Sequence, residues 1–479
     1  MIRFFISTVL LSLAAAIVQA QALPERLDSL FQSLNQDGEL SGAFMLVDHG
    51  KMVYEKYLGY EDAAKTTAIT ADSRFELASV SKPITAMAIM QLEEQGKLAY
   101  GDFVSRFFPK LPFASTIRIK DLLHHTSGIP EFLAWDESWI DKSKVYDNRA
   151  VLEVLESKVD SLLFQPGDRY YYSNSNYVLL ALIVEQVSGL SFADYLRKQV
   201  FEPASMLQTA LIPAQAAAHA KQKQYAQGLA YHAPSKTFKP IDQFSFFDYT
   251  RHFDGISGPF GVASTAQDLF KWNEALKKNT LLKRDNFVKA ISVDTLNNGL
   301  PVKMGDLYYG FGWIFTDSTA NPEKMHFHTG GYPGYKVIVV REDKNQRYFI
   351  ALLNKWNTID VVPLTTAVNA IIQQREVPEV TREVFSEAIT LMEFQIKALL
   401  GTYQFTLDPA LTIVITADED GNLFAQLTGQ QAFQVFPKND LEVFYTVVKA
   451  TLQFSKTDQQ VDALTLLQNG QKLLFKKIK

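Results

Sequence analysis

The chain has 479 residues, more than one hydrophobic core usually organises, and its 47% hydrophobic and 21% charged residues are the balance of a globular protein. A formal net charge of −5 argues against a nucleic-acid partner, which needs a clustered basic surface. With no cysteine there can be no disulfide, thiol nucleophile, cysteine-ligated metal or lipidated amino-terminal cysteine.

Residues 1–20 combine Arg3, an apolar run from Phe4 to Val18 and the sequence Val18-Gln19-Ala20. This pattern predicts a signal peptide cut after Ala20, and hence a periplasmic or secreted mature protein. The run is shorter than the roughly 18 to 20 residues of a spanning helix, and no membrane span is expected in the mature chain. Leu40–Val47 and Met52–Tyr57 then read as two strands joined by a tight turn at Asp48-His49-Gly50. Ser79 to Gln95 reads as a helix that is apolar nearly all round, therefore buried, and stopped by Gly96. From Asp121 to about Ala290 helical runs alternate with Pro, Gly and Asn, including a strongly apolar helix from Tyr177 to Val187 before Gly189.

Strand signals return at Leu307–Phe315, Met325–His328, Tyr335–Arg341 and Tyr348–Asn354, so one sheet draws on both ends of this region. A helix-prone connector from about Val377 to Lys397 follows, and then eight short strands near residues 401, 411, 422, 431, 441, 450, 461 and 471. Their number predicts a small closed antiparallel barrel, because closure removes exposed edges. The expected organisation is a signal peptide (1–20), a first domain (24–375), a connector (376–398) and the barrel (399–479), and the fold class is α+β.

Ser79-Val80-Ser81-Lys82 puts a hydroxyl and an amine one helical turn apart on one face. Pro83 is tolerated only in a first turn, so the helix should begin at about Ser79, where unpaired N–H groups and the helix dipole favour a developing oxyanion. A serine becomes a nucleophile only when a base takes its proton, and Lys82 can do so only if its pKa falls from about 10.4. By itself S-x-x-K also describes a capping serine followed by a surface lysine, a pattern expected roughly twice by chance in a chain of this length. Two further segments add to it. Tyr172-Ser173-Asn174 lies between the turn Pro166-Gly167-Asp168 and the apolar helix, and His328-Thr329-Gly330-Gly331 ends a strand with glycines that allow close backbone approach.

Together these three segments resemble the three motifs of serine beta-lactamases and penicillin-recognising enzymes, in the class C branch with its esterases and D-amino-acid peptidases. Asp121–Pro130, Phe164–Asp168, Gly258–Leu269 and Tyr309–Trp313 resemble the same family, and the likeness spans roughly residues 24 to 375. The resemblance implies a beta-lactamase/transpeptidase-like mixed sheet with a helical layer. It also implies that Ser79 is the nucleophile, Lys82 its proton acceptor and Tyr172 the general base and acid. Asn174, His328, Thr329 and Gly330 would meet the substrate, and the N–H groups of Ser79 and Gly331 would form the oxyanion hole. Where many members carry a lysine opening the third motif, this chain has His328, which would be only partly charged near neutrality and would suit beta-lactams poorly. The barrel resembles lipocalin-like domains appended to some relatives.

No cofactor is implied. A metal is not expected either, because His124 and His125 should point apart, and His326 with His328 lacks a third ligand. The expected function is an exported serine hydrolase acting through an acyl-enzyme on esters, small amides or D-amino-acid peptides, with a small-molecule or short-peptide substrate. The alternatives are a beta-lactamase proper and a catalytically silent binding or sensing protein.

Overall fold

The computed structural model describes residues 23–212, 224–244, 247, 251–316, 324–356, 358–382, 387–428, 430, 432–446, 448–468 and 470–479. The expected signal peptide lies outside the described residues. By compactness the chain forms two units that are not continuous in sequence. One comprises Met1–Gln227, Thr250–Asn354 and Asp360–Val380, the other Gly228–Tyr249, Lys355–Ile359 and Thr381–Lys479.

The first unit is built on an eight-stranded sheet. In chain order its elements begin with β1 (Gly42–Asp48) and β2 (Lys51–Leu58), joined by the expected tight turn, in which His49 and Gly50 have φ of 50° and 72°. Such left-handed pairs match the twist of a hairpin. Short strands β3 (Phe75–Glu76) and β4 (Ala210–Leu211) come next, then β5 (Leu229–His232) and β6 (Thr237–Pro240), which belong to the second unit, and β7 (Val262–Ser264), which pairs with both β3 and β4. After them come β8 (Lys303–Met304), β9 (Leu307–Tyr309), β10 (Ile314–Phe315), β11 (Met325–Tyr332), β12 (Tyr335–Glu342) and β13 (Arg347–Leu353). The sheet order is β2-β1-β13-β12-β11-β10-β9-β8 with every neighbouring pair antiparallel, so the amino-terminal hairpin packs beside the carboxyl-terminal strands.

The helices of this unit are α1 (23–34), α2 (Ser81–Glu94), α3 (Ile119–Leu123), α4 (Asn148–Lys158), α5 (Asn174–Ser188), α6 (Phe192–Leu196), α7 (Ala266–Lys277), α8 (Arg284–Ala290) and α9 (Val361–Ile372). At the centre lie α2, buried from Ser81 to Leu92, and α5, buried from Ser175 to Val184. Neither has a polar face, as expected of helices packed on all sides. Gly189, at φ 71°, terminates α5 in the left-handed conformation. Among the described residues no single helix is long and apolar enough to cross a membrane.

Three expectations need correction. Leu307–Phe315 is not one strand but the hairpin β9–β10, with Ile314 opposite Tyr309. Gly312 sits in that reversal at φ 72°, and a Cβ there would lie 2.7 Å from the backbone nitrogen of Pro83, so contact with the start of α2 dictates the bend. The third motif does not end its strand, because β11 continues through Tyr332. Among the described residues of the Val377–Lys397 connector only its end is helical, as part of α10 (Glu393–Leu399). Pro378 and the β-branched Val377, Val380 and Thr381 oppose helix, and a short helix needs a packed face to persist.

The second unit contains a closed barrel of β14 (Gly401–Phe405), β15 (Thr412–Ala417), β16 (Leu423–Leu427), β17 (Phe433–Asn439), β18 (Glu442–Tyr445), β19 (Ala450–Thr457), β20 (Gln460–Gln468) and β21 (Gln471–Lys477). All eight expected strands form, and β14 pairs with β21 to close it. Tyr403, Ile413, Leu423, Val443, Leu452 and Phe475 lie in one buried cluster, so alternate residues of the strands fill the barrel with side chains. The hairpin β5–β6 joins this unit: Ala233, just after β5, packs on Phe436 and Phe444, and Lys236 pairs with Glu387 at 2.8 Å.

Candidate active site

The route to the site begins at β3. Glu76 accepts hydrogen bonds through Oε1 from the N–H groups of Ala78 (3.4 Å) and Gly261 (3.1 Å). Burial pushes its carboxyl up to about 8, so it is largely protonated at neutrality and adds little charge. Ala78 is held at φ 48°, a conformation that costs a non-glycine residue about 1 kcal/mol or more and marks a backbone fixed by its surroundings. A short 3-10 turn, Ala78–Val80, follows, and regular helix starts at Ser81 rather than at Ser79. Ser79 therefore sits half-buried on the lip of α2, with Pro83 third in the helix, where its missing N–H breaks no bond.

Lys82 is fully buried beneath Ser79. Its Nζ lies 3.0 Å from Ser79 Oγ, 2.8 Å from Asn174 Oδ1 and 3.0 Å from the Pro259 carbonyl oxygen. Two of these three partners are pure acceptors. A neutral amine can give its two N–H groups to them and turn its lone pair toward the serine hydroxyl, the arrangement a general base requires. Burial lowers the Lys82 pKa to about 7 against the attraction of Glu131, which raises it. Relative to a usual value near 10.5, that drop disfavours the ammonium by roughly 5 kcal/mol, and desolvation is the larger effect.

The second motif supplies the opposite wall. Tyr172 precedes α5, hydrogen-bonds to Ser79 through its side chain, and carries the Lys82 ammonium 4.8 Å from its ring centre. Its pKa is raised, chiefly by burial, so the phenol is protonated in this arrangement. Asn174 is the first residue of α5, and Glu131 fastens this corner: Oε2 accepts from the Asn174 N–H and Oε1 from the Leu133 N–H at 3.0 Å. Burial raises the Glu131 pKa, while those N–H bonds and Lys82 lower it.

The third motif lies along β11. A Cβ on Gly330 would overlap the Leu77 carbonyl oxygen and Val337 Cγ2, so only glycine lets this strand lie against the segment leading into Ser79. Gly330→Ala should therefore displace that segment, costing about 1–3 kcal/mol of stability and lowering turnover. Thermal unfolding together with ester kinetics checks this. Tyr332 and Tyr335 close the β11–β12 hairpin around a two-residue turn. By antiparallel alternation, Gly331 then directs its N–H away from β12. On β11, β10 pairs with His326 and Phe327, so among the described residues no neighbouring strand takes that N–H, and Gly331 is exposed.

His328 departs from expectation. It is 2% exposed, and both ring nitrogens are engaged: Nδ1 with the Thr329 carbonyl oxygen at 2.6 Å and Nε2 with Tyr309 Oη at 3.3 Å. Burial, with help from the Lys82 charge, lowers its pKa to about 3, so it is neutral rather than partly charged and offers a carboxylate no cation. Tyr309 Oη also meets His125 Nε2 at 3.2 Å. His125 Nδ1 accepts from the N–H of Ser173 (3.2 Å) and faces Asn176 Nδ2 (3.1 Å), which fixes the His125 proton on Nε2. Three segments are thereby tied together through one tyrosine hydroxyl.

Ser79, Lys82, Tyr172 and Asn174 thus share one site, with Thr329, Gly330 and Gly331 on the strand beside the turn that bears Ser79, while His328 stands behind them. Sequence reasoning missed Glu131, Tyr309, His125, Glu76 and the Pro259 carbonyl as functional groups. The first lies one residue beyond Pro130 and the next two lie inside segments that resemble the family, but only the folded chain gives them partners.

A family model described as Beta-lactamase matches residues 27–373. Penicillin-binding protein 4* of Bacillus subtilis is 30% identical over 451 residues, covering 93% of this chain and 97% of that protein. Among solved structures, the octameric penicillin-binding protein homologue from Pyrococcus abyssi superposes with a TM-score of 0.62 at 20% identity, covering 94% of this chain and 99% of that one. D-amino acid amidase from Ochrobactrum anthropi superposes with a TM-score of 0.55 at 21% identity, covering 69% and 92%. At those identities the two structures speak for the fold alone. Resting on the match over residues 27–373 and the near full-length likeness to the Bacillus protein, the chain belongs to the Beta-lactamase family, whose members are generally serine hydrolases.

Proposed function

We propose that this protein hydrolyses esters, small amides or D-aminoacyl peptides through an acyl-enzyme on Ser79. The reading rests above all on one observation: the Lys82 amine lies 3.0 Å from Ser79 Oγ, with its remaining contacts made to two carbonyl oxygens. In the proposed cycle Lys82 takes the Ser79 proton as Oγ attacks the substrate carbonyl, and the N–H groups of Ser79 and Gly331 stabilise the oxyanion. Tyr172 passes a proton to the leaving group, and Asn174 orients Lys82 and the substrate. Water then enters, gives a proton back through the same pair and releases the acid. The penicillin-binding relative supports substrates of this class. The buried, neutral His328 argues against efficient beta-lactam hydrolysis, since no cation stands at that position. A panel of p-nitrophenyl esters, D-aminoacyl anilides and nitrocefin tests the reading. Ester or anilide turnover well above nitrocefin turnover is expected, and inertness toward all three would leave a silent binding protein.

Two substitutions probe the proton path. Tyr172→Phe should lower turnover by about 10²-fold with little change in unfolding temperature, because it removes a proton-transfer group and keeps the ring. Wild-type rates in that variant would remove the phenol from the cycle. Glu131→Gln removes the carboxylate that holds the Lys82 pKa up. Neutral amine then persists to lower pH, and the acid limb of the kcat profile should move down by about half a pH unit or more. A limb that stays in place would show that Glu131 acts on structure alone.

Export is part of the same proposal, motivated by the pattern of residues 1–20. Amino-terminal sequencing of protein from a periplasmic or culture fraction should begin at Gln21.

A further inference from the structure

On the face of β11 and β12 that also carries Gly330, toward the other end of the strands from the Ser79 turn, two basic side chains are buried side by side with unpaired donors. His326 and Arg341 are directly opposite in the β11–β12 register, 1% and 0% exposed. Arg341 gives Nη2 to Asp343 Oδ1 at 3.2 Å, but its Nε and Nη1 have no hydrogen-bond partner among the described residues. The same holds for both ring nitrogens of His326, whose Nε2 lies 4.0 Å from Asp343 Oδ1, and for the Trp313 indole Nε1.

The charges do not balance either. Asp343 is shared, its Oδ2 accepting from Arg284 at 3.0 Å, so one carboxylate serves two guanidinium groups. Glu342 is engaged with Arg347 and Asn345. Phe287 and Tyr348 stand 5.2 and 5.5 Å from the Arg341 guanidinium and offset part of its charge, but a ring face is a weak acceptor for N–H groups. Trp313 and Phe287 pack against the His326 ring in T-shaped contacts, at 5.2 and 5.8 Å, and supply it no hydrogen-bond acceptor. Buried donors and charges without partners are costly, and native folds rarely keep several together unless something accepts from them.

We propose that Arg341 and His326 form a binding site for one halide-sized monovalent anion. A single negative charge matches the excess of one cation over Asp343. A spherical ion accepts from several directions at once, which suits the free N–H groups of Arg341 Nε and Nη1, of the His326 ring and of the Trp313 indole. Bound there, the anion ties β11 to β12 just before the third motif and stabilises the sheet that carries Gly330 and Gly331.

The test uses the full-length protein, dialysed into sodium gluconate and titrated with sodium chloride or bromide at constant ionic strength. A saturable rise in unfolding temperature of about 2 °C or more is expected. It should be absent in Arg341→Met, where a buried apolar side chain of similar length is tolerated. Crystals of the unaltered protein soaked in bromide should show an anomalous peak within hydrogen-bonding distance of Arg341. A flat halide titration of the wild type, an equal response in the variant, or bromide-soaked crystals with water alone at that position would each overturn the assignment.

Discussion

Replacing Ser79 with alanine should abolish ester and amide turnover, by about 10³-fold or more, while leaving unfolding temperature close to wild type. The magnitude follows from the role of a nucleophile, whose loss leaves only binding and the oxyanion donors to act. The small effect on stability follows from its setting. Ser79 is half-buried, its Oγ is one of three partners of Lys82 Nζ, and the other two remain in the variant. The 3-10 turn is held from elsewhere, by Glu76 on the Ala78 N–H and by the fit of Gly330 against Leu77. Steady-state kinetics beside thermal unfolding separates the two effects. Turnover within about tenfold of wild type would assign the chemistry to another group.

Lys82→Met should be nearly as damaging to catalysis, by about 10²- to 10⁴-fold. Methionine fills the same buried volume without an amine. It leaves Asn174 Oδ1 and the Pro259 carbonyl oxygen without this donor, at about 1–3 kcal/mol each. Against that stands the removal of a buried group that ionises freely in the unfolded chain. The folded pKa, about 7, lies below the unfolded value, so between them the unfolded chain binds more protons and this lysine contributes more stability as pH rises. At neutral pH the two effects oppose each other, and the variant should stay folded. In the wild type kcat should climb through pH 7 as the amine loses its proton, whereas the residual rate of Lys82→Met should show no such limb. A limb unchanged in the variant would place the titrating base elsewhere.

The sequence carried the architecture where local pattern and tertiary context agree. The β1–β2 hairpin, the two buried helices and all eight barrel strands follow from turn residues and from apolar periodicity. It failed where a distant segment decides local structure. Gly312 bends a run of strand formers because the backbone of α2 lies against it, a contact absent from any window around residue 312. Nothing within Gly228–Tyr249 marks it as part of the barrel unit, because its partners Phe436 and Phe444 lie far down the chain. In the site, residue types and spacing brought Ser79 and Lys82 together, but their ionisation was illegible. The low pKa of Lys82 and the neutrality of His328 come from burial, which depends on helices and strands remote in sequence.

Intact-mass analysis after exposure to a fluorophosphonate probe, followed by peptide mapping, bears most directly on the proposed chemistry. One covalent adduct per chain, on the peptide bearing Ser79, is expected, forming faster as pH rises through 7. A folded protein that acquires its label at a different residue, or none with any acylating or phosphonylating reagent, would contradict it.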